Sequence, residues 1–301
     1  MDSIVVKGYA KVNLSIDVLG ILENGYHELD MIMHMTGLHD DVKVSWKPDD
    51  SGELRVSVSA DRDDIPAGED NIAYRAALAM AEGRNVSGRI DIEIVKRIPA
   101  AAGLAGGSAD SAAVILALDR LWGTGLNLDK LMRIGRKTGA DVPFSVAGCA
   151  FLNDVKDGGF TCARAIYDGS RLIPLPSLAG TRIVLSKPPV GVSTKEVYQG
   201  IDNAVIAARP DIERLIEAIE DRDTHYIKQN MINVLENYTL KMYNVVKETM
   251  DKFTELNESV RPVMSGSGPT VFAIVTDEEE ADLLSDFLKK TNSETYLTGL
   301  V

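Results

Sequence analysis

Alternating apolar and polar positions along the first third of the chain predict β-strands. Residues 4–18 alternate roughly, whereas LRVSVSA at 54–60 and RIDIEIV at 89–95 alternate strictly. Because successive side chains of a strand point to opposite faces of a sheet, strict alternation is typical of a half-buried strand. Residues 71–82 instead repeat apolar side chains at helical spacing, and Asp70 before them is the expected N-cap. This part of the chain therefore mixes strands with helices.

The same patterns predict the remaining elements. Helices are expected near 108–122, 127–139, 210–220, 225–235, 240–256 and 277–290, and strands at 181–186, at 270–276 and at the C-terminal end. Residues 153–180 are rich in Gly, Asp and Pro, which indicates loops and a domain boundary. A length of 301 residues suits about two domains, expected at 1–172 and 173–301. Consecutive strands separated by single helices favour a layered α+β fold over one doubly wound sheet.

The composition disfavours several classes of function. A net charge of −13 repels polyphosphate backbones, so we expect no nucleic-acid partner, although a local nest of amides could still hold a small anion. Cys149 and Cys162 match no metal-ligand spacing, and we expect reduced thiols and no metal site built by the protein. The N-terminus lacks the features of a signal peptide, and no stretch approaches the ~20 apolar residues of a membrane span. The expected protein is soluble and cytoplasmic, with no membrane partner.

The stretch PAAAGLAGGSADSAAVI, residues 99–115, concentrates glycine and alanine directly before a predicted helix. Glycines that let a ligand approach the free amides of a helix N-terminus create an anion-binding site. A tight strand-to-helix turn, with small residues for close packing, explains the stretch equally well. The spacing fits neither the Gly-Lys-Ser/Thr phosphate loop nor the G-x-G-x-x-G dinucleotide fingerprint.

Three stretches in order resemble the motifs of the GHMP kinase superfamily. PAAAGLAGGSADSAA resembles its phosphate loop, KVNLSIDVLG with NGYHELDMIM its N-terminal motif, and MSGSGPTVFAI its C-terminal glycine motif. The resemblance implies a two-domain α+β fold: an N-terminal ribosomal-protein-S5-domain-2-like domain, a C-terminal ferredoxin-like α/β sandwich and an active-site cleft between them. GYHEL, GADVPF and VGVSTKEVY are similar to a branch that uses ATP to phosphorylate a cytidine-diphosphate-linked sugar alcohol of the non-mevalonate isoprenoid pathway.

The resemblance implies that Lys11 and Asp141 are the catalytic residues. Lys11 would contact the acceptor hydroxyl, the base or the transferring phosphoryl group, and Asp141, within GADVPF, would be the general base. From the residues alone, Lys11 fits a solvated charge at a strand edge, and Asp141 fits a helix cap or a turn after Gly139. The apolar run at 142–144 could also hold the carboxylate partly dehydrated.

The same resemblance implies the ATP-binding residues. The phosphate loop would wrap the ATP phosphates, with Ser108 touching phosphate or the Mg²⁺ that is bound with ATP, while Asn71 and Lys96 match positions near the purine. Without the resemblance, Asn71 fits a helix-start cap and Lys96 fits a solvated lysine at a strand end. The full set is Asn71, Lys96, Pro99, Ala100, Ala101, Ala102, Gly103, Leu104, Ala105, Gly106, Gly107, Ser108 and Ala109.

The acceptor site is implied in the same way. Tyr26 and His27 would recognise the edge and face of a cytosine, and Tyr198 matches a stacking aromatic of the family, although an isolated tyrosine also fits a core or surface position. The turn at 266–268 would approach the substrate, or it simply initiates a strand. The full set is Asn13, Tyr26, His27, Thr194, Tyr198, Gly266, Ser267 and Gly268.

The chain departs from the superfamily pattern at several positions. Ala105 stands where many members have glycine, which is tolerable if φ stays negative, and His34 and His39 stand where plainer residues are expected. Residues 149–172 replace a short Gly-x-Gly-Glu turn on the acceptor side. Two alternatives stay open: a GHMP kinase for a mevalonate-type or sugar acceptor, and a non-catalytic member that senses a ligand. We expect small-molecule substrates and a monomer or weak homodimer.

Overall fold

The computed structural model describes residues 2–301. The strands of this range are β1 Asp2–Ile21, β2 His27–Pro48, β3 Leu54–Ala60, β4 Gly88–Val95, β5 Cys162–Tyr167, β6 Arg171–Pro174, β7 Arg182–Lys187, β8 Val263–Met264, β9 Val271–Ile274 and β10 Glu294–Gly299. The α-helices of the same range are α1 Ile72–Ala81, α2 Gly106–Leu121, α3 Leu128–Arg136, α4 Val142–Leu152, α5 Thr194–Ile201, α6 Ile212–Glu220, α7 Thr224–Asn230, α8 Glu236–Met242, α9 Asn244–Leu256 and α10 Glu278–Lys289.

Contacts divide the chain into two compact units, and neither is a single stretch of sequence. Unit 1 contains residues 2–10, His39–Ala100 and Ala105–Thr161. Unit 2 contains Lys11–Leu38, Ala101–Leu104 and Cys162–Val301. The units therefore interleave along the chain, and the sequential division at 172/173 stays a prediction. Both β1 and β2 pass from one unit to the other, which local sequence patterns do not reveal.

Unit 1 is built on β4 and the helices that cover it. The second half of β2 pairs antiparallel with β4, and β3 runs parallel to β4. Ile90, Ile92 and Ile94 are buried, as the strict alternation predicts. Each such side chain stabilises the fold by roughly 1.5–3 kcal/mol when fully buried. α2 is buried from Ala109 to Asp119 and packs against α1 and α4.

Unit 2 is built on an antiparallel sheet in the order β10-β7-β9-β8. The central strands β7 and β9 carry the short apolar runs RIVLSK and VFAI, which are buried along almost their whole length. α9 and α10 pack against β7. The first half of β2 pairs with β5, and β5 forms a hairpin with β6. Part of the unusual segment 149–172 is thus an ordinary β-hairpin.

The predicted strand at 54–60 is confirmed with the same bounds, but the start of α1 differs from the prediction. Asn71 caps α1, because its Oδ1 accepts a hydrogen bond from the amide of Ala73 at 2.8 Å. Asp70, the expected cap, is the last residue of a 3₁₀ turn that precedes the helix. The prediction of Asp70 is wrong because that turn holds the residue outside the capping position.

The predicted helix at 225–235 is shorter in the structure and ends at Asn230. The amide of Ile16 in β1 donates to the carbonyl of Ile232 at 3.0 Å, and the amide of Val234 donates to the carbonyl of Ile16 at 3.0 Å. These bonds hold the segment extended beside β1. A partner more than 200 positions away therefore overrides the local helical pattern.

Both cysteines are buried free thiols. Burial raises the pKa of Cys149 and of Cys162 to about 12, so neither is a reactive thiolate near neutral pH. Among residues 2–301, no helix combines the length and the apolar character needed to cross a bilayer.

Candidate active site

Three residues of the phosphate loop have left-handed backbone conformation. The φ angle is +48° at Ala101, +73° at Gly103 and +56° at Ala105. The condition under which an alanine at position 105 is tolerated without strain, a negative φ, is therefore not met. Ala105 is the residue from which the chain turns into α2. A left-handed alanine costs roughly 1–2 kcal/mol, so contacts elsewhere in the fold hold this conformation.

The N-terminus of α2 has the features of an anion site. α2 begins at Gly106, two residues before the predicted start, and no side chain within residues 2–301 caps it. The amides of its first turn therefore point away from the helix without an intrahelical partner. Gly107 and Ser108 lie in this turn, and Gly107 is exposed. Free amides at the positive end of a helix dipole bind phosphate groups.

Gly103 is required for packing as well as for conformation. A Cβ at this position would overlap the carbonyl oxygen of Ser265 and lie 2.9 Å from that of Gly268. The hydroxyl of Ser265 donates to the carbonyl of Gly103 at 3.0 Å. The glycine stretch therefore combines both explanations left open by the sequence: Gly103 allows close packing in unit 2, and the helix start in unit 1 leaves amides free.

Lys96 is a buried member of an ion cluster in unit 1. Its Nζ donates to Asp40 at 2.5 Å and to Asp110 at 2.8 Å. Burial lowers the pKa of Lys96, but the two carboxylates outweigh it, and the pKa lies above its usual value. Burial raises the pKa of the Asp110 carboxyl above its usual range. The alternative of a solvated lysine is wrong, and most of the hydrogen-bonding capacity of Lys96 is directed into the protein.

Asp40 also fixes the chain that leads into the phosphate loop. Its Oδ1 accepts hydrogen bonds from the amides of Arg97 and Ile98, at 2.6 and 2.8 Å. A Cβ on Gly106 would lie 2.9 Å from the Ile98 side chain and 3.5 Å from the Lys96 ammonium. The cluster of Lys96, Asp40 and Asp110 therefore packs directly beneath the start of α2.

Asp141 lies at the start of α4 in unit 1, but its side chain makes no capping hydrogen bond to that helix. Asp141 thus occupies the N-cap position of α4, as the alternative drawn from the residues alone expects, without the capping hydrogen bond. The turn before it is tied to α2, since the hydroxyls of Ser111 and Thr138 are 3.0 Å apart. A Cβ on Gly139 would lie 3.9 Å from the hydroxyl of Ser108. Unit 1 thus brings Ser108 next to the turn that carries Asp141.

Lys11 and Asn13 lie side by side on β1 in unit 2, and both are buried. The Lys11 ammonium donates to Asn13 Oδ1 at 2.6 Å, so the alternative of a solvated strand-edge lysine is wrong. The amide of Lys11 donates to the carbonyl of Leu104 at 3.1 Å, and the amide of Asn13 donates to the hydroxyl of Ser265 at 3.3 Å. Lys11 is therefore held against the central residues of the phosphate loop.

The turn after β8 brings other predicted acceptor residues to the same part of unit 2. The hydroxyls of Thr194 and Ser267 are 2.9 Å apart. A Cβ on Gly266 would lie 3.1 Å from the carbonyl oxygen of Gly103 and 3.6 Å from Asn13 Oδ1. The turn thus places hydroxyl and backbone groups between β1 and the start of α5.

His27 and Tyr198 form an aromatic pair in unit 2. Their ring centroids are 5.0 Å apart with an interplanar angle of 40°. His27 Nε2 lies 2.8 Å from Oδ1 of Asp202, the residue that follows α5. Tyr26, next to His27, is a residue that is 63% exposed. The structure therefore brings together Tyr198 and His27, two of the predicted acceptor residues.

His34 and His39, the two histidines that depart from the superfamily pattern, contact other residues of the protein. His34 is fully buried, Nδ1 lies 2.8 Å from the carbonyl oxygen of Met35, and Nε2 accepts from the amide of Leu178 at 2.9 Å. Burial lowers the pKa of His34 to about 4, so the ring is neutral near pH 7. His39 packs against Tyr9 with ring centroids 5.1 Å apart.

Two protein-family models match the chain. The model of the N-terminal domain of GHMP kinases matches residues 71–149, and the model of the C-terminal domain matches residues 204–294. The chain belongs to the GHMP kinase family. The α+β architecture and its two domains are those of this family, and the chain is a kinase, as the resemblance implies.

Several GHMP kinases match the chain over its full length. A 4-diphosphocytidyl-2-C-methyl-D-erythritol kinase of Acetivibrio thermocellus is 41% identical, with 100% of both chains covered. One of Clostridium acetobutylicum is 40% identical, with 98% of this chain and 99% of the relative covered. A solved 4-(cytidine 5′-diphospho)-2C-methyl-D-erythritol kinase is 29% identical, with a TM-score of 0.76 and 99% of both chains covered. A homoserine kinase from Cytophaga hutchinsonii, 19% identical with a TM-score of 0.74, shows the fold alone.

Sequence reasoning missed the residues that hold the GHMP motifs in place. Asn233 Nδ2 donates to the carbonyls of Met264 and Gly266, each at 2.7 Å, and Glu236 Oε1 accepts from the amide of Met264 at 2.8 Å. Asp40 and Ser265 support the phosphate loop in the same way. Only Ser265, which adjoins the recognised turn, carried a local signal. The other partners lie 28 or more positions away from the groups that they hold, so no spacing rule identifies them.

Proposed function

We propose that this GHMP kinase is a 4-diphosphocytidyl-2-C-methyl-D-erythritol kinase. It transfers a phosphoryl group from ATP to a hydroxyl of that acceptor, in the non-mevalonate isoprenoid pathway and in the cytoplasm. The observation that carries the proposal is the 41% identity over the whole chain to a kinase of this name. The proximity of His27 and Tyr198, two of the three residues expected at the base, supports the same acceptor.

ATP is the phosphoryl donor, with its phosphates at the phosphate loop. Three features support this placement: the uncapped N-terminus of α2, the exposed Gly107 and the hydroxyl of Ser108 in the same turn. Mg²⁺ would enter with ATP, because this ion usually takes most of its ligands from phosphate oxygens and water. Ser108 is the residue that would ligate it.

Asn71 and Lys96 would act on the purine site indirectly, because their side chains are already bonded within the protein. The side chain of Asn71 caps α1 and donates to the carbonyl of Pro66 at 2.8 Å, and Lys96 is bound to two carboxylates. Both would therefore shape the purine site through the backbone that they fix. A purine contact by either side chain stays a prediction.

The reaction needs a base for the acceptor hydroxyl and positive charge for the transferring group. Asp141 would accept the proton, because an alcohol is a poor nucleophile at neutral pH and a positioned carboxylate can remove its proton as the bond to phosphorus forms. The buried ammonium of Lys11 would stabilise the negative charge of the transferring phosphoryl group. Asn13 positions that ammonium through its 2.6 Å hydrogen bond.

The acceptor would be bound by unit 2. Tyr26 and Tyr198 supply aromatic faces for a cytosine, and His27 supplies a polar edge. Thr194 and the turn Gly266-Ser267-Gly268 would bind the polar groups that follow the base. The sequential ranges 1–172 and 173–301 are proposed as the two kinase domains, since the two family models match inside them.

An ATP-consumption screen tests the proposal. The purified protein is assayed with 4-diphosphocytidyl-2-C-methyl-D-erythritol, mevalonate, homoserine and free sugar alcohols at matched concentrations. We expect turnover with the cytidine compound to exceed the others by at least about a hundredfold. Faster turnover of mevalonate or a free sugar would assign another acceptor, and the absence of ATP turnover with every acceptor would support a ligand sensor. A sedimentation measurement on the same sample tests the proposed monomer or weak homodimer.

A further inference from the structure

Asp202 is a hydrogen-bonding partner of His27. His27 is the first residue of β2, and Asp202 follows the last turn of α5, so two separate elements of unit 2 bring the groups together. His27 Nε2 lies 2.8 Å from Asp202 Oδ1. The His27 side chain is only 14% exposed and Tyr198 packs on its ring, which restricts rotation of the imidazole.

An ionised carboxylate can only accept hydrogen bonds, so Nε2 of His27 must carry the hydrogen. In a neutral imidazole the other nitrogen, Nδ1, is then an acceptor. No group within residues 2–301 donates to Nδ1: Asp202 is the hydrogen-bonding partner that the structure gives to this ring. Nδ1 is thus an acceptor atom without a donor among the described residues, on a ring that packs against Tyr198.

An acceptor at this position distinguishes pyrimidine bases. Cytosine carries an exocyclic amino group, which donates hydrogen bonds, where uracil carries a carbonyl oxygen, which accepts them. An unprotonated Nδ1 can accept a hydrogen bond from the amino group of cytosine. With uracil, the lone pair of Nδ1 would meet a lone pair of the carbonyl oxygen, and the two acceptors would repel each other. A polar site that loses its hydrogen-bonding partner rejects the wrong ligand strongly.

We propose that Asp202 is a specificity-determining residue, which holds His27 in the Nε2–H tautomer so that Nδ1 accepts from the amino group of cytosine and disfavours uracil. The inference rests on the proposed function, in which His27 contacts the base. Asp202 acts through His27 and touches no reacting atom, so it is a positioning residue. A carboxylate that orients a histidine in this way is a general device for selecting a tautomer.

The decisive substitution is Asp202→Asn, which keeps the shape but removes the constraint. An amide can accept from Nε2–H or, after rotation, donate to an unprotonated Nε2, so both tautomers of His27 become possible. Asp202→Glu retains a carboxylate and is expected to recover part of the effect. Asp251→Asn is the matched control, because Asp251 is another aspartate of unit 2 with a single side-chain partner, at 2.9 Å from Lys247 on the exposed face of α9.

The first measurement uses no turnover. Nitrogen-15 NMR of the unliganded protein reports the tautomer of each of the four histidines, and a His27→Gln variant assigns the His27 signals. We expect the Nε2–H tautomer in the native protein and in Asp251→Asn, and a mixture in Asp202→Asn. A native protein with the hydrogen on Nδ1 would overturn the inference, whatever the substrate is.

The second measurement compares cytidine diphosphate with uridine diphosphate, each titrated while the His27 signals are followed. We expect Asp202→Asn to lower the preference for cytidine diphosphate about tenfold or more, mainly by weakening that ligand, with Asp202→Glu between the two. Equal weakening of both ligands, together with a lower melting temperature, would mean a purely structural ion pair and would overturn the proposal. A retained cytidine preference in a protein that turns over no cytidine-linked acceptor would refute the proposed function and leave the tautomer assignment standing.

Discussion

The hydroxyl of Ser265 donates to the carbonyl of Gly103 at 3.0 Å, and this bond joins the C-terminal glycine turn to the middle of the phosphate loop. Both residues belong to unit 2, although 162 positions separate them. The amide of Asn13 on β1 donates to the same hydroxyl. One side chain therefore connects all three motifs by which the family is recognised.

The glycines at 103 and 107 should respond differently to substitution. Gly103→Ala would place a Cβ against the Ser265 carbonyl at a φ of +73°, so we expect a loss of about 1–3 kcal/mol in unfolding free energy. At Gly107 a Cβ would meet only the Ile72 side chain, at 3.3 Å, so Gly107→Ala should fold normally. Its methyl group would stand where the amides meet phosphate, so the KM for ATP should rise. Thermal melts and ATP titrations on both variants check this contrast, and an unchanged ATP affinity in Gly107→Ala would contradict the placement of the phosphates.

Ala105→Gly should stabilise the protein or leave its stability unchanged. Ala105 has a φ of +56°, and glycine adopts this region without steric cost, which offsets its greater freedom in the unfolded chain. We expect a gain of up to about 1 kcal/mol. Ala140→Gly, at an exposed residue without positive φ, is the control and should destabilise slightly. Chemical denaturation measures both, and a clear loss in Ala105→Gly would contradict the strain assigned to this position.

The sequence predicted structural features that follow from neighbouring residues. It did not predict features that are set by contacts with residues far away along the chain. The strand at 54–60 and the burial of Ile90, Ile92 and Ile94 follow from local alternation. The burial of Lys96 does not, because Asp40 lies 56 positions away and nothing near Lys96 indicates an ion pair. Motif resemblance named the catalytic candidates, and the structure removed the surface alternative for Lys11, whose buried ammonium donates to Asn13.

His34 should make the protein less stable as the pH falls. The pKa of His34 is about 4 in the folded protein and near 6.5 in the unfolded chain, so the unfolded chain binds more protons between these values. Stability should therefore decline as the pH drops from about 6.5 to 4, by at most about 3 kcal/mol. His34→Gln should flatten this part of the stability curve, whereas His225→Gln, at an exposed histidine, should leave its slope unchanged. Urea denaturation at several pH values measures the slopes, and parallel curves for His34→Gln and the native protein would exclude His34 as the cause.

Glu236 should produce the opposite trend. Burial raises the pKa of Glu236 to about 7, above the 4.5 of an unperturbed glutamate, so the folded protein binds more protons in this window. Its contribution to stability is present below pH 4.5 and is lost as the pH rises towards 7. Glu236→Gln keeps an acceptor for the Met264 amide but removes the titration, so it should be more stable than the native protein above pH 7. Denaturation midpoints from pH 5 to 8 provide the test, with the exposed Glu255→Gln as control. A Glu236→Gln variant whose midpoints follow the native curve would show that the carboxyl does not titrate in this range.

Asp141 and Lys11 provide the sharpest test of the chemistry. Asp141→Asn keeps the shape of the side chain but removes its charge and basicity, and because its side chain does not cap α4, the fold should persist. Positioned acid–base groups contribute about 10²–10⁴-fold, so we expect kcat to fall at least about a hundredfold while both substrates still bind. Lys11→Met should lower kcat similarly by removing the positive charge that stabilises the transferring phosphoryl group.

If the two residues serve one step, the double variant should be little slower than the slower single variant, since the effects of groups that act as a unit are not additive. Single-turnover rates beside thermal melts separate this outcome from simple destabilisation, which would lower the melting temperature and preserve the rate per folded molecule. Near-native turnover in Asp141→Asn would remove Asp141 from the mechanism, and a strictly multiplicative double variant would assign the two residues to different steps.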